Sequence, residues 1–173
     1  MVRTVVSTMT RLHPVRTSDG RQLEASHVIA APADEAWDLL VDTTRWPEWS
    51  PTIREVEATD RRIRAGTRGR VRVPGVWLPF RVTHVDQAER RWEWRVVGLP
   101  GPGHRVDDLG PDRCRVAFEL PLGAAGYAPV CLEALESIAA VLEEPGHDSD
   151  DVQDERSGTD VGGNAGTDVD ANA

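Results

Sequence analysis

Apolar and polar residues alternate over several short stretches of the chain, a pattern typical of half-buried β-strands. In the first stretch, residues 21–30, the positions Leu23, Ala25, His27 and Ile29 alternate with Gln22, Glu24, Ser26 and Val28. Turn residues separate six further predicted strands, at 52–58, 67–73, 76–86, 90–98, 104–109 and 113–120. Because the links among these six are too short for parallel crossovers, the sequence predicts a seven-stranded antiparallel sheet.

A period of three to four residues predicts helices in two places. After the first strand, Pro32 suits a first helical position, and Asp34 and Glu35 place negative charge at the helix N-terminus. A proline-containing turn with Trp46 and Trp49 follows. The strongest period comes late in the chain and predicts one long amphipathic helix. Its apolar stripe is Tyr127, Val130, Cys131, Ala134, Leu135, Ile138 and Leu142.

The start of this last helix is open on the sequence alone. Pro129 is either its first helical position or a kink in a helix that begins near Gly123. Its end is defined by Glu143-Glu144-Pro145-Gly146, since proline and glycine stop a helix.

The order of strand, short helices, tryptophan turn, strands and long final helix resembles the SRPBCC superfamily, the START and polyketide-cyclase-like proteins. The resemblance extends over residues 23–144. It implies an α+β helix-grip fold, in which two short helices follow the first strand and the long C-terminal helix covers the concave face of a curved sheet. It also implies a deep apolar cavity between the sheet and that helix, but no particular reaction.

Charge and composition divide the chain. Residues 1–142 contain 19 Arg and 19 Asp or Glu, whereas residues 143–173 contain one Arg and ten Asp or Glu, so the net charge of -9 arises in the tail. The tail lacks large apolar side chains and cannot offset the entropy of ordering it. We therefore expect a domain at 21–144, a poorly ordered N-terminal extension at 1–20 and a disordered acidic tail at 145–173.

Several functional classes are disfavoured by what the sequence contains. Cys114 and Cys131 are interpreted as small core residues, and the histidines show no metal-ligand spacing, so neither a metal nor a cofactor is expected. The N-terminus lacks a signal-peptide pattern and we expect no membrane span, which predicts a cytoplasmic protein.

Arginines are concentrated between Arg61 and Arg72, but no aromatic residues are interleaved with them, which disfavours nucleic-acid binding. Two other interpretations stay open. The arginines form a solvated sheet face paired with Glu55 and Glu57, or they contact the acidic tail.

Candidate binding residues centre on the tryptophans. Trp92 and Trp94 share one face of a strand, where they either pack against the last helix or line a ligand cavity as stacking walls; the resemblance favours the second. The predicted ligand-binding residues are Trp77, Phe80, His84, Trp92, Trp94, His104, Phe118, Tyr127, Cys131 and Leu135.

Two of these residues are also candidates for proton transfer. His104 follows Gly101-Pro102-Gly103, a loop that would rim the cavity mouth, and is either a general acid or base or a rim histidine bonded to backbone. The Tyr127 hydroxyl points either into the cavity or into solvent. His84 lies an even number of residues after Phe80 in the same predicted strand, so its side chain is predicted to point inward. A buried neutral histidine with one hydrogen-bond partner is the plainer explanation for such a position than a catalytic role.

Three functions follow from these residues and the resemblance. The first is binding of a hydrophobic small molecule, such as a lipid, quinone or polyketide-like compound, in the cavity. The second is a polyketide cyclase or dehydratase-type enzyme in which His104 and Tyr127 handle protons. The third is a co-chaperone-like module that contacts a protein partner, for which the sequence contains no direct support.

Overall fold

A nine-stranded antiparallel sheet forms the body of the protein. The computed structural model describes residues 10–17 and 20–144. The strands are β1 Arg11–Thr17, β2 Gly20–Ile29, β3 Glu55–Ala58, β4 Arg68–Val73, β5 Val76–Asp86, β6 Arg91–Val96, β7 Leu99–Pro100, β8 Gly103–Asp108 and β9 Cys114–Pro121. Their order in the sheet is β1-β2-β9-β8-β6-β5-β4-β3, and the short β7 also pairs with β6. The α+β helix-grip fold is confirmed.

Two of the nine strands were not predicted, so the expectation of seven strands is wrong. β1 lies in the segment expected to be poorly ordered and pairs with β2 from Arg11↔Ser26 to Thr17↔Gly20. It carries Pro14, which sheets tolerate on an edge strand such as this one. The second, β7, has only two residues. The acidic tail predicted at 145–173 lies outside the described residues.

Three helices pack on the concave side of the sheet: α1 Ala33–Val41, α2 Trp46–Trp49 and α3 Ala128–Glu143. A 3₁₀ segment, Leu122–Tyr127, precedes α3, so Pro129 lies in the first turn of the last helix and does not kink it. At the other end of α3, the Glu143 carboxylate accepts a hydrogen bond from the Ala30 backbone N–H at 2.9 Å. This bond ties the end of α3 to the end of β2.

The segment Leu122–Glu143 is long and apolar enough to cross a membrane, by length and composition only. That finding corrects the expectation that no segment meets this criterion. In the fold, α3 packs against β2 and β9, and Cys131, Leu135 and Ile138 are buried there. A core helix also meets this criterion; α3 buries one face against the sheet, and 33% of the segment's most apolar 18-residue window is buried.

Aromatic rings fill much of the space that the sequence predicts to be hollow. The Trp46 and Trp92 rings stack with centroids 5.5 Å apart, and Trp92 stacks on His104 at 3.9 Å. Phe118 contacts His104 edge-on, with centroids 4.7 Å apart. The Trp46 indole N–H donates to the Leu40 carbonyl at 2.9 Å, which fixes one end of the stack to α1. Any cavity must therefore lie beside this cluster.

The outer face of β3–β5 is a solvated, ion-paired surface. Arg70 pairs with Glu57 at 2.7 Å, and Arg72 pairs with Glu55 at 2.6 Å. These cross-strand pairs confirm the interpretation of this part of the arginine patch as an exposed sheet face.

Candidate functional site

An apolar groove opens between the sheet and the 3₁₀ segment before α3. It has a volume of about 450 Å³, within the range of small-molecule sites. Strands β4 to β7 supply one wall, and the loop after β7 and the 3₁₀ segment supply the other. Its lining residues are Thr52, Ile53, Val71, Val73, Pro74, Leu78, Trp94, Val96, Leu99, Pro100, Gly101, Pro102, Ala124 and Tyr127. None of them is charged.

A second, much smaller cavity of about 30 Å³ lies deeper, between α2, α3 and the sheet. It has room for one or two water molecules. Trp49, His104, Phe118 and Cys131 are among its lining residues. Four residues line both spaces and form the partition between them: Ile53, Trp94, Pro102 and Tyr127.

Trp94 is the largest side chain in this partition. Its indole Nε1 is buried and has no hydrogen-bond partner among the described residues. The Gly101 backbone N–H donates to the Trp94 carbonyl at 3.1 Å, and a Cβ built on Gly101 would overlap with Nε1 and lie 2.8 Å from Cδ1. The absence of a side chain at Gly101 is thus what lets the indole lie against this loop.

Replacing Gly101 by alanine is expected to displace the Trp94 indole and to lower the free energy of unfolding by about 1–3 kcal/mol. Urea unfolding and the emission maximum of the native protein measure both effects. Gly123→Ala is the matched control, since a Cβ there meets nothing within 4 Å, and it should change neither quantity appreciably. Equal effects of the two variants would contradict the tight contact at Gly101.

His104 lies below the groove and not at its rim. Its side chain is 3% exposed, flat against Trp92 on one face, and its Nδ1 has no hydrogen-bond partner in the part of the chain that the structure describes. Burial lowers the pKa of His104 to about 3, although the Pro102 backbone carbonyl opposes the shift. At neutral pH the ring is therefore neutral, so one ring nitrogen is able to accept a proton or a hydrogen bond.

Tyr127 stands at the opening, with 41% of its surface exposed. Its hydroxyl lies 3.2 Å from the Thr52 hydroxyl, and either group is able to donate. Burial raises the pKa of Tyr127, with the Thr52 contact opposing the shift, so the phenol stays protonated. Together with the Trp94 indole N–H, these two hydroxyls are the polar side-chain groups among the lining residues.

Several predicted binding residues belong to the packed core and do not line the groove. Phe80 and Trp92 are buried in the aromatic cluster, and Leu135 is buried on α3. Phe118 and Cys131 line only the inner cavity. Burial raises the pKa of the Cys131 thiol to about 12, so it acts there as a small apolar group. Cys114 is likewise buried and unpaired.

Two predicted residues lie on the wrong face for an internal site. Trp77 is opposite Arg72 in the sheet, and the Arg70 guanidinium lies 4.6 Å from its ring centroid, on the outer surface. His84 is exposed, because the pairing of β5 with β6 shifts between Val82 and His84. Such a bulge inserts one residue and reverses the parity beyond it, so Val85 takes the position opposite Trp92.

Much of the groove wall was not predicted. Val71 and Val73 alternate with arginines in β4, and Leu78 precedes Phe80 by two residues in β5, so the alternation was a usable signal for these positions. Val96 shares the face of Trp94 in the same way. Ile53, Leu99 and Ala124 lie in loops or short segments, where no periodic pattern identifies an inward side chain.

The profile of the family described as polyketide cyclase / dehydrase and lipid transport matches residues 21–143. The chain therefore belongs to this family, and its fold is that of the START and SRPBCC proteins. No curated protein matches the sequence.

Solved structures show the same fold at low sequence identity. The Zhui aromatase/cyclase from Streptomyces sp. R1128 superposes with a TM-score of 0.55 at 18% identity, over 71% of this chain and 93% of that one. A START superfamily protein from Mycobacterium smegmatis gives 0.54 at 18% identity, over 70% and 97%. A Thermobifida fusca protein gives 0.54 at 21% identity, over 73% and 97%.

Proposed function

We propose that this protein binds a hydrophobic small molecule, such as a lipid, a quinone or a polyketide-like compound, in the groove. The observation that carries the proposal is an uncharged groove of about 450 Å³ that opens to solvent beside Tyr127. Apolar burial supplies affinity at roughly 25 cal/mol per Å² before ordering costs. The Thr52 and Tyr127 hydroxyls orient a polar end of the ligand. Membership of a family that includes lipid transport supports this assignment.

The test is titration of the protein with long-chain alcohols, quinones and polycyclic aromatics, with binding measured by calorimetry. Leu78→Trp adds bulk to the groove wall and is expected to weaken binding at least tenfold, because overpacking excludes part of the ligand. Trp77→Phe changes the neighbouring residue on the outer face and should leave affinity unchanged. Equal affinities of wild type and Leu78→Trp would overturn the proposal.

A cyclase or dehydratase-type reaction in the same site is the second candidate. It is favoured by one observation: His104 and Tyr127, a neutral acceptor and a protonated phenol, line the same inner cavity. Two similar structures are an aromatase/cyclase and the di-domain ARO/CYC BexL, which supports the shared fold. His104→Phe would abolish turnover of a polyketone while retaining binding if this candidate is right, and unchanged turnover would exclude it. A cytoplasmic location and a protein partner stay predictions.

A further inference from the structure

Exposed apolar side chains are concentrated at one end of the molecule. Among the described residues, Val76, Val97, Leu99 and Leu122 are each about half exposed or more, and Leu99 reaches 70%. We refer to these four residues as the mouth rim. Each lies in a segment that also supplies the groove wall through Pro74, Val96, Pro100 or Ala124. The rim therefore borders the groove, and Leu99 itself lines it.

The sheet topology places these segments together. In an antiparallel sheet, the end of one strand lies beside the start of its neighbour. β4 ends at Val73 where β5 begins at Val76, and Phe80 of β5 is opposite Val96, the last residue of β6. The rim thus occupies the end of the sheet at which β9 also terminates, at Pro121.

Val97 has a backbone conformation that is unfavourable for valine. It connects β6 to β7 together with Gly98, and both residues have positive φ, 51° and 74°. Two-residue hairpins of this kind favour Asn-Gly, and a β-branched residue in this region is strained. The chain nevertheless has an exposed valine here, 56% accessible. Its apolar side chain is better explained by contact with something outside the fold.

Charged side chains are distributed unevenly between the two ends of the sheet. Arg16 and Arg21 face each other across the β1–β2 hairpin, and Arg54 bonds through its backbone to the end of β4. All three arginines are exposed. The opposite end of the sheet is acidic on balance, since segments 34–35, 86–91, 107–115 and 143–144 contain nine carboxylates against four arginines. The carboxylates are Asp34, Glu35, Asp86, Glu89, Asp107, Asp108, Asp112, Glu143 and Glu144, and the arginines are Arg90, Arg91, Arg113 and Arg115.

We propose that the mouth rim docks onto an anionic lipid bilayer, so that the groove opening faces the membrane. The four apolar side chains enter the interface, while Arg16, Arg21 and Arg54 contact lipid phosphates. The acidic end, from which the chain continues beyond Glu144, is held away from the surface by repulsion. This inference rests on the proposed function in one respect, namely that the groove is where the ligand binds.

Flotation of the full chain with vesicles tests the proposal. Binding is expected to vesicles of equal parts phosphatidylglycerol and phosphatidylcholine, to fall in high salt, and to be weak on pure phosphatidylcholine. Leu99→Asp is expected to weaken binding about tenfold or more. Leu109→Asp, an exposed leucine at the acidic end, is the matched control and should bind like wild type. Equal binding of these two variants would overturn the proposal.

The charge contribution has its own pair of variants. Arg21→Gln and Arg54→Gln are each expected to weaken binding about fivefold, the contribution of one arginine near an anionic surface. Arg113→Gln removes an arginine near the acidic end and should have little effect. Equal losses for all three variants would show that the protein is attracted to the vesicle without a preferred orientation. That result would contradict docking through the mouth rim.

Two further variants separate docking from folding and from ligand binding. Val97→Asn is expected to raise the melting temperature, because asparagine tolerates positive φ, and yet to weaken vesicle binding. Leu78→Trp blocks the groove and should leave vesicle binding intact, so a failure of ligand binding and a failure of docking are distinguishable.

If sedimentation instead shows a dimer that Leu99→Asp dissociates, the rim belongs to a second copy of the chain and the membrane proposal is wrong.

Discussion

Replacing Trp92 by alanine is expected to lower the free energy of unfolding by about 3–5 kcal/mol, the range for a large buried aromatic residue. The Trp92 side chain is 0% exposed and stacks between Trp46 and His104, with Phe80 and Trp94 in the same cluster. Its removal leaves a cavity with rings on both sides, which cannot close without moving α2 or β8. Urea unfolding monitored by circular dichroism measures the effect without relying on tryptophan emission.

Trp77→Ala is the matched control, because it truncates the same side chain on the opposite face of the sheet. Trp77 is partly exposed and contacts the Arg70 guanidinium. Loss of that contact and of partial burial is expected to cost about 1 kcal/mol. If Trp92→Ala and Trp77→Ala destabilise the protein equally, the aromatic cluster is not the principal packing unit of the core.

The contrast between these two tryptophans also shows how far the sequence could determine the fold. Alternation correctly predicted that Trp92 and Trp94 share an inner face, and helical periodicity correctly predicted α3. Both signals are local, since they depend on which residues repeat along one element. Trp77, by contrast, was grouped with the inner residues because of its type, although its parity differs from that of Phe80.

Features that depend on contacts between distant segments could not be predicted from the sequence. The β-bulge near His84 reverses parity within one strand, and no residue in Val82-Thr83-His84 indicates it. Whether Trp92 lines a cavity or fills it depends on Trp46, which reaches the same space from a separate helix. The cavity predicted by the resemblance is therefore displaced toward the open ends of β4 to β7, where smaller side chains leave room.

The stability of the protein is expected to fall between pH 6.5 and pH 3 through His104. In the folded state burial lowers the pKa of this residue from 6.5 to about 3. An unfolded chain binds a proton at His104 below pH 6.5, whereas the folded chain does not until about pH 3, so acid favours unfolding throughout this window. The stabilisation is complete above pH 6.5, and about 2 kcal/mol is lost by pH 5.

His104→Phe keeps a flat ring against Trp92 and removes the titration. The difference in unfolding free energy between wild type and this variant, measured from pH 7 to pH 4, should therefore change by about 3 kcal/mol. The same difference for Trp77→Phe, which exchanges one uncharged ring for another on the outer face, should be nearly constant. A constant difference for His104→Phe would mean that the folded protein protonates His104 near its ordinary pKa. In that case the ring would be accessible to water, and a role as general acid at the inner cavity would regain support.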